Sequence, residues 1–299
     1  SAIWQFKTKD DPEEYSSGNT LWGWGINDNI QLGFYEYSTP TLQGNKKWKA
    51  IETGFYNTLG IDSDGYLYAW GFGGRNGDST DLTRYEPAKI GSRKWLAISY
   101  NFSTGHAIRE DGTLWGWNYN NYGQIGDGSI STRIGMVRIG IDTNWKAVSN
   151  GAGHTLALKN DGSLWAWGDN YYGQLGDSTR IAKRTPVRIG IQNDWASISA
   201  GSEYSLALKS DGTLWAWGRN DYATLGDSTV TYRIIPKRIG NDSNWVQIST
   251  GSSTNHAIKN DSSLWAWGVN SNGLIGDGAS ASLRLFPVRI GIDNNWNYV

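Results

Sequence analysis

The chain has 299 residues, 27 Lys and Arg against 28 Asp and Glu, a formal net charge of −1, 18 Trp and no cysteine. A balance so close to zero supplies no overall field for nucleic acid or an anionic membrane surface, and without cysteine there is no disulfide framework, thiolate metal cage or thiol nucleophile. No apolar leader core opens the chain and nowhere do 18 apolar residues run together, so membrane insertion is not expected.

In chain order, Ile3-Trp4-Gln5-Phe6-Lys7 reads as a strand, and Leu21-Trp22-Gly23-Trp24-Gly25 as the one after it. The second of these runs recurs. Leu-aromatic-small-Trp units start at Leu21, Leu67, Leu114, Leu164, Leu214 and Leu264, with spacings of 46, 47, 50, 50 and 50 residues. In step with them, Trp48, Trp95, Trp145, Trp195 and Trp245 each precede the next Leu by 19 residues. A period near 50 with several short β-rich runs per repeat predicts a ring of sheets, a propeller, rather than independent domains.

The fourth repeat is the clearest. Asn144 to Ser149 is predicted as a first strand and His154 to Lys159 as a second; Asn160-Asp161-Gly162 turns the chain into Leu164 to Gly168, the third. A polar loop from Asp169 to Asp177 leads to Pro186-Val187-Arg188-Ile189, the fourth. Proline lacks the amide that a central ladder needs, so its recurrence at Pro40, Pro87, Pro186, Pro236 and Pro287 assigns this strand to the sheet edge. Met136 takes the equivalent place in the third repeat, and two residues beyond that position five repeats carry a basic residue, Lys89, Arg138, Arg188, Arg238 and Arg289, a series suited to guarding an edge against edge-to-edge pairing.

The chain ends on Trp296-Asn297-Tyr298-Val299, which reads as a first strand without a successor, while Ile3 to Lys7 lacks a predecessor. The expected fold is therefore all-β: a six-bladed β-propeller of four-stranded antiparallel blades, one domain over residues 1–299, closed by pairing of the N- and C-terminal strands. If the last strand were donated to another copy, the chain would self-assemble through its termini.

Alternating strand directions send the loops between first and second strands, and between third and fourth, to one face. That face carries Phe55, Tyr56, Phe102, Tyr119, Tyr122, Tyr171, Tyr172, Tyr204 and Tyr222, with Glu203, Arg219 and Asp221 among them. Loop aromatics give contact area at small entropic cost, so these residues are the candidate partner-binding set, for a protein or a glycan. Catalytic chemistry has little to build on. His106, His154 and His256 belong to three different repeats, no metal-ligand motif occurs, and Asp78, Asp127, Asp177, Asp227 and Asp277 recur one per repeat, as turn caps do. Neither a cofactor nor catalytic residues are assigned.

Gly151-Ala152-Gly153-His154-Thr155-Leu156-Ala157-Leu158, with Asp161-Gly162-Ser163-Leu164-Trp165-Ala166-Trp167-Gly168 and Tyr172-Gly173-Gln174-Leu175-Gly176, closely resembles the repeat of the regulator of chromosome condensation family. The resemblance covers nearly the whole chain. It departs in the first two repeats, where Tyr68 replaces a Trp, and in offering six blades where familiar members have seven. The family implies a propeller; its founding member is a guanine-nucleotide exchange factor with a wedge-like insertion, for which the near-constant lengths of repeats three to six leave no room. The resulting expectation is a non-catalytic interaction module recognising a protein or glycan, on a bacterial or phage surface or secreted, with a structural component of a virion or extracellular fibre as the alternative and a guanine-nucleotide exchange factor as a less favoured one.

Overall fold

The computed structural model describes residues 22–25, 37–42 and 46–299; the strand expected at Ile3 to Lys7 lies outside the described residues. Its strands are β1 (Trp22–Gly25), β2 (Tyr37–Leu42), β3 (Trp48–Thr53), β4 (Asn57–Asp62), β5 (Tyr66–Gly71), β6 (Arg84–Asn101), β7 (Thr104–Arg109), β8 (Leu114–Asn118), β9 (Arg133–Arg138), β10 (Trp145–Asn150), β11 (His154–Lys159), β12 (Leu164–Gly168), β13 (Lys183–Arg188), β14 (Trp195–Ala200), β15 (Tyr204–Lys209), β16 (Leu214–Gly218), β17 (Arg233–Arg238), β18 (Trp245–Thr250), β19 (Thr254–Lys259), β20 (Leu264–Val269) and β21 (Leu283–Ile290). All pair antiparallel with their chain neighbours, as β10-β11-β12-β13, β14-β15-β16-β17, β18-β19-β20-β21, a seven-stranded β3-to-β9 sheet, and β1-β2.

Two compact units divide the described chain: one of residues 1–119 and 132–143, the other of residues 120–131 and 144–299. In the first, β6 runs through two repeats without a break, pairing with β5 at one end (Gly71↔Arg84) and β7 at the other (Trp95↔Arg109). The reason is in the connection. Four residues separate Ile90 from Trp95, against five between Ile189 and Trp195; the shorter link keeps the left-handed glycine of the others, Gly91 like Gly190, but Lys94 beyond it already pairs with Tyr66.

The third strand of the fourth repeat falls where the pattern places it, over Leu164–Gly168. The fourth begins at Lys183, earlier than expected, with Pro186 inside it. An edge strand needs no apolar face, so Lys183-Arg184-Thr185 passes for loop in the sequence. Trp296 to Val299 forms no strand among the described residues. Its start nevertheless follows the repeat: the Trp296 amide donates to Ser262 O (3.2 Å), as Trp195 does to Gly162 O and Trp245 to Gly212 O.

Tryptophan makes the core. Trp70, Trp117, Trp167, Trp217 and Trp267 are fully buried; each such ring removes about 150–250 Å² from water, roughly 4–6 kcal/mol before chain entropy is subtracted. In the second unit each ring also ties its repeat to the preceding loop. Trp167 Nε1 donates to Gln124 O (2.7 Å), Trp217 Nε1 to Gln174 O (2.8 Å) and Trp267 Nε1 to Thr224 O (2.9 Å). Within the first unit, Trp117 Nε1 reaches Arg75 O (3.3 Å). First strands are stitched by hydroxyls: Ser149 Oγ accepts the Ala200 amide and Ser199 Oγ the Thr250 amide.

Candidate functional site

In the third to sixth repeats the long loop is wound around an asparagine. In the second unit Asn170 Nδ2 donates toward Asp177 Oδ1 (2.9 Å), Thr179 O (3.1 Å) and Ile181 O (3.3 Å), while its Oδ1 accepts the Leu175 amide. Asn220 repeats this on Asp227, Thr229, Thr231 and Leu225. The recurring aspartates are thereby explained. Asp177 Oδ1 accepts the amide and hydroxyl of Thr179, and Lys183 stands 3.5 Å from its other oxygen. Burial by itself would raise the Asp177 carboxyl, but the Thr179 bonds prevail and hold it below the usual range. These carboxylates cap turns and are committed to them.

The basic series also has work inside the fold. Arg188 Nη2 donates to Ile191 O, Arg238 Nη2 to Asn241 O and Arg289 Nη2 to Ile292 O, so each holds the connection that follows its strand.

On this frame six of the expected aromatic residues, Phe55, Tyr56, Phe102, Tyr171, Tyr172 and Tyr222, fall into two clusters, one in each unit. In the first, Phe55 (59% exposed) packs 4.9 Å from Phe102 and 6.1 Å from Tyr56. Tyr56 in turn meets Phe72 and carries the Arg75 guanidinium 4.7 Å above its ring. Phe72 and Arg75 were not among the expected residues, because the Phe72-to-Gly77 loop departs from the repeat pattern that guided the reading. Tyr119 is half-buried and outside this contact set; Thr104 Oγ1 donates to its carbonyl.

The second cluster is larger. Tyr171 (68% exposed) meets Tyr172 edge-on at 4.9 Å, and Tyr172 meets Tyr232 edge-on at 5.2 Å. Arg219 lies between rings, its guanidinium carbon 4.7 Å from the Tyr172 centroid and 5.2 Å from that of Tyr222. Two carboxylates fix it: Nη1 donates to Glu203, and Nε to Asp221 Oδ2 at 2.9 Å. The Glu203 bond, helped by Asp221, holds the Arg219 proton even more firmly than usual. Tyr232 OH donates to Asp221 Oδ2 at 2.7 Å, the main reason that the Asp221 carboxyl is lowered and the Tyr232 phenol raised. Tyr122 is exposed and lies against Gly153.

Tyr204 is a correction. It is 1% exposed, its hydroxyl donating to Asn255 Oδ1 at 2.7 Å. As the first residue of β15 rather than the last of the loop, it points between repeats, and Gly201 must be glycine because a Cβ there would stand 2.2 Å from the Tyr204 ring. His154, the equivalent residue of β11, is buried likewise. Ser205 Oγ gives its proton to Gln174 O, so His154 Nε2 donates to Ser205 Oγ (3.0 Å), leaving Nδ1 as a bare acceptor without a partner. Burial pushes this imidazole down to about 3. Among the described residues no three His, Asp or Glu side chains gather as metal ligands, and no helix is long and apolar enough to cross a membrane.

Tyr232 and Arg180, whose guanidinium lies 5.8 Å from the Tyr232 ring, complete the second cluster unforeseen. Comparison of repeats holds the signal: the residue before the fourth strand is Thr132 in the third repeat, Ala182 in the fourth and Tyr232 in the fifth.

Cavities follow two patterns. One of about 340 Å³ is lined by Arg188, Trp195, Trp215 and Pro236, and another of about 290 Å³ by the equivalent Arg238, Trp245, Trp265 and Pro287. Being the same gap at a shift of one repeat, they follow from the architecture. A third, of about 200 Å³, lies beside Arg219, with Glu203, Tyr222, Thr224, Ser252 and Ser253 in its wall.

The RCC1-like domain family model matches residues 15–299. Among solved structures, yeast RCC1 (Prp20) bound to Kap60 is similar at 21% identity and a TM-score of 0.82, covering 92% of this chain and 72% of that one. Prp20p from Saccharomyces cerevisiae gives 22% identity and 0.80 over 92% and 74%, and human WBSCR16 gives 20% and 0.80 over 91% and 76%. At these identities the likeness is one of fold. No curated protein matches the sequence.

Proposed function

The chain belongs to the RCC1-like domain family, and from that premise we propose that it is a non-catalytic interaction module whose aromatic loops dock a partner. The observation that carries this reading is the prebuilt cluster of Tyr171, Tyr172, Tyr222 and Tyr232 around Arg219: rings braced edge to edge and an arginine fixed by two carboxylates, on loops of a rigid sheet scaffold. Contact surface of this kind suits a protein partner, and related propellers include one solved with Kap60 bound. The test is capture with the native protein and a Tyr171→Ala, Tyr172→Ala variant. Loss of capture with an unchanged melting temperature supports the proposal; full retention by the variant sinks it.

The same proposal includes six blades in a ring closed by pairing of residues 3–7 with 296–299, supported by the Trp296 amide repeating the bond that opens β14 and β18. Closure within one molecule means that deleting residues 296–299 destabilises the monomer. If that deletion instead dissolves concentration-dependent oligomers and leaves a folded monomer, the terminal strand serves assembly, as in a fibre or virion component.

A further inference from the structure

We infer that the cavity beside Arg219 is a binding site for a single neutral pyranose sugar. The inference rests on the loop surface being a recognition surface, and it names a ligand for one part of it.

The cavity lies where the fifth repeat departs from the Gly-Gln pair of the third and fourth repeats. In the fourth repeat Gly173 precedes Gln174, whose Oε1 accepts the Tyr172 amide and whose Nε2 donates to Asp169 Oδ2, filling the space over the loop. The fifth repeat has Ala223 and Thr224 instead. Thr224 is shorter and turns its hydroxyl to Arg219 O at 2.6 Å, leaving open the space that the glutamine occupies. Ala223 meanwhile keeps the left-handed conformation of the glycine it replaces, at φ +58°, a conformation that costs a residue with a Cβ about 1–2 kcal/mol. Asn118 and Ser262 also stand left-handed where other repeats have glycine, but at Ala223 the strained residue adjoins an open cavity and the shortened side chain of Thr224.

The lining selects the ligand. A cation finds no open aromatic cage, because the position beside Tyr172 and Tyr222 is filled by the Arg219 guanidinium. An anion is disfavoured, because Arg219 is committed to Glu203 and Asp221, two carboxylates against one cation. What remains is the Tyr222 ring, hydroxyl side chains on Ser202, Ser252 and Ser253, and the outer edge of Glu203, half-exposed. An aromatic wall with a few convergent donors and acceptors fits a polyhydroxylated ring that is uncharged. At about 200 Å³ the cavity is below the roughly 300–1,000 Å³ of drug-sized sites, so it admits one sugar unit, and a ligand of that size binds with a dissociation constant on the order of 1 mM.

The experiment is saturation-transfer and chemical-shift NMR titration of the whole protein with methyl α- and β-glucopyranoside, galactopyranoside and mannopyranoside and with N-acetylglucosamine, beside galacturonate and choline as charged controls. One neutral sugar is expected to saturate and the controls are not. Thr224→Gln, the residue the fourth repeat carries, is expected to weaken binding at least tenfold while the melting temperature stays within a few degrees, and Tyr222→Ala likewise. No saturation by any neutral sugar, preference for galacturonate or choline, or unchanged binding in Thr224→Gln each overturns the inference. Partner capture through Tyr171 and Tyr172 is unaffected by Thr224→Gln, so either proposal can fail alone.

Discussion

The Lys259 ammonium stands 3.8 Å from the ring centroid of Trp265 and 4.6 Å from that of Trp245, two rings that meet edge-on. Lys159 and Lys209 face Trp pairs in the same way, and Arg109 faces Trp95 and Trp115. In the second repeat this arrangement is rebuilt from other parts. Asp62 takes the place of the cation and Tyr68 that of the Trp, while Lys46 supplies the charge, 4.3 Å over the Tyr68 ring and 3.7 Å from Asp62. A cation over an aromatic ring is preserved although both of its residues are exchanged; only Trp48 keeps its place. Lys259→Met keeps the aliphatic packing and loses the cation; since Asp242 is largely exposed, the expected cost is about 1–2 kcal/mol, read from urea unfolding. An unchanged midpoint refutes a stabilising role.

Replacing Trp217 by Phe retains most of the apolar burial and removes the donor to Gln174 O, which keeps the Ser205 hydroxyl. A loss of about 1–3 kcal/mol follows from the missing hydrogen bond and the smaller ring. Amide hydrogen exchange checks its location: protection drops in the loop that starts at Asp169 as well as in β16.

His154 makes the fold acid-sensitive. Its folded pKa, about 3, lies below the ordinary imidazole value of 6.5, so the unfolded chain binds the extra proton. Stability from this group is full above pH 6.5 and is lost as pH falls toward 3, by up to about 4–5 kcal/mol. Thr occupies the equivalent place at Thr104 and Thr254, and His154→Thr is expected to flatten the stability profile between pH 6.5 and 4. A slope as steep as in the native protein excludes His154 as its source.

Glu52 has the opposite sign. It stands where other repeats have Ser149 and Ser199, and it accepts the Tyr100 amide as those hydroxyls accept Ala200 and Thr250. Burial raises its carboxyl from 4.5 to about 7 against the effect of that amide, so its contribution is intact below pH 4.5 and is lost as pH rises through 7. Glu52→Ser is expected to stabilise above pH 7 by on the order of 1–2 kcal/mol and to lose that advantage at pH 5. Thermal melts at the two pH values decide it.

Ala223→Gly relieves a left-handed alanine at the expense of a more flexible unfolded chain, for a net gain of about 0.5–1 kcal/mol. Chemical denaturation is the readout; a net loss means that the Ala223 methyl makes contacts worth more than its strain.

The sheets were legible because every repeat writes the same message: Leu164 to Gly168 as a strand, Asp161-Gly162 as a turn and Asp177 as a cap need no tertiary information. Orientation was less so. Glu203 and Tyr204 are adjacent, and one step across the start of β15 turns a surface residue into a buried one. Tyr232 and Arg180 join the cluster through contacts between repeats, which no pattern within a single repeat encodes.

The uninterrupted main chain of β6 couples the second and third repeats mechanically. One strand runs from Arg84 to Asn101, with register shifts against β5 between Arg84 and Ala88 and between Lys89 and Lys94, whereas β13 and β14 are separate strands joined by a connection that can stretch independently. Under load, or during proteolytic nicking, β3 to β9 are expected to give way together as one cooperative block, while the later sheets peel off one at a time.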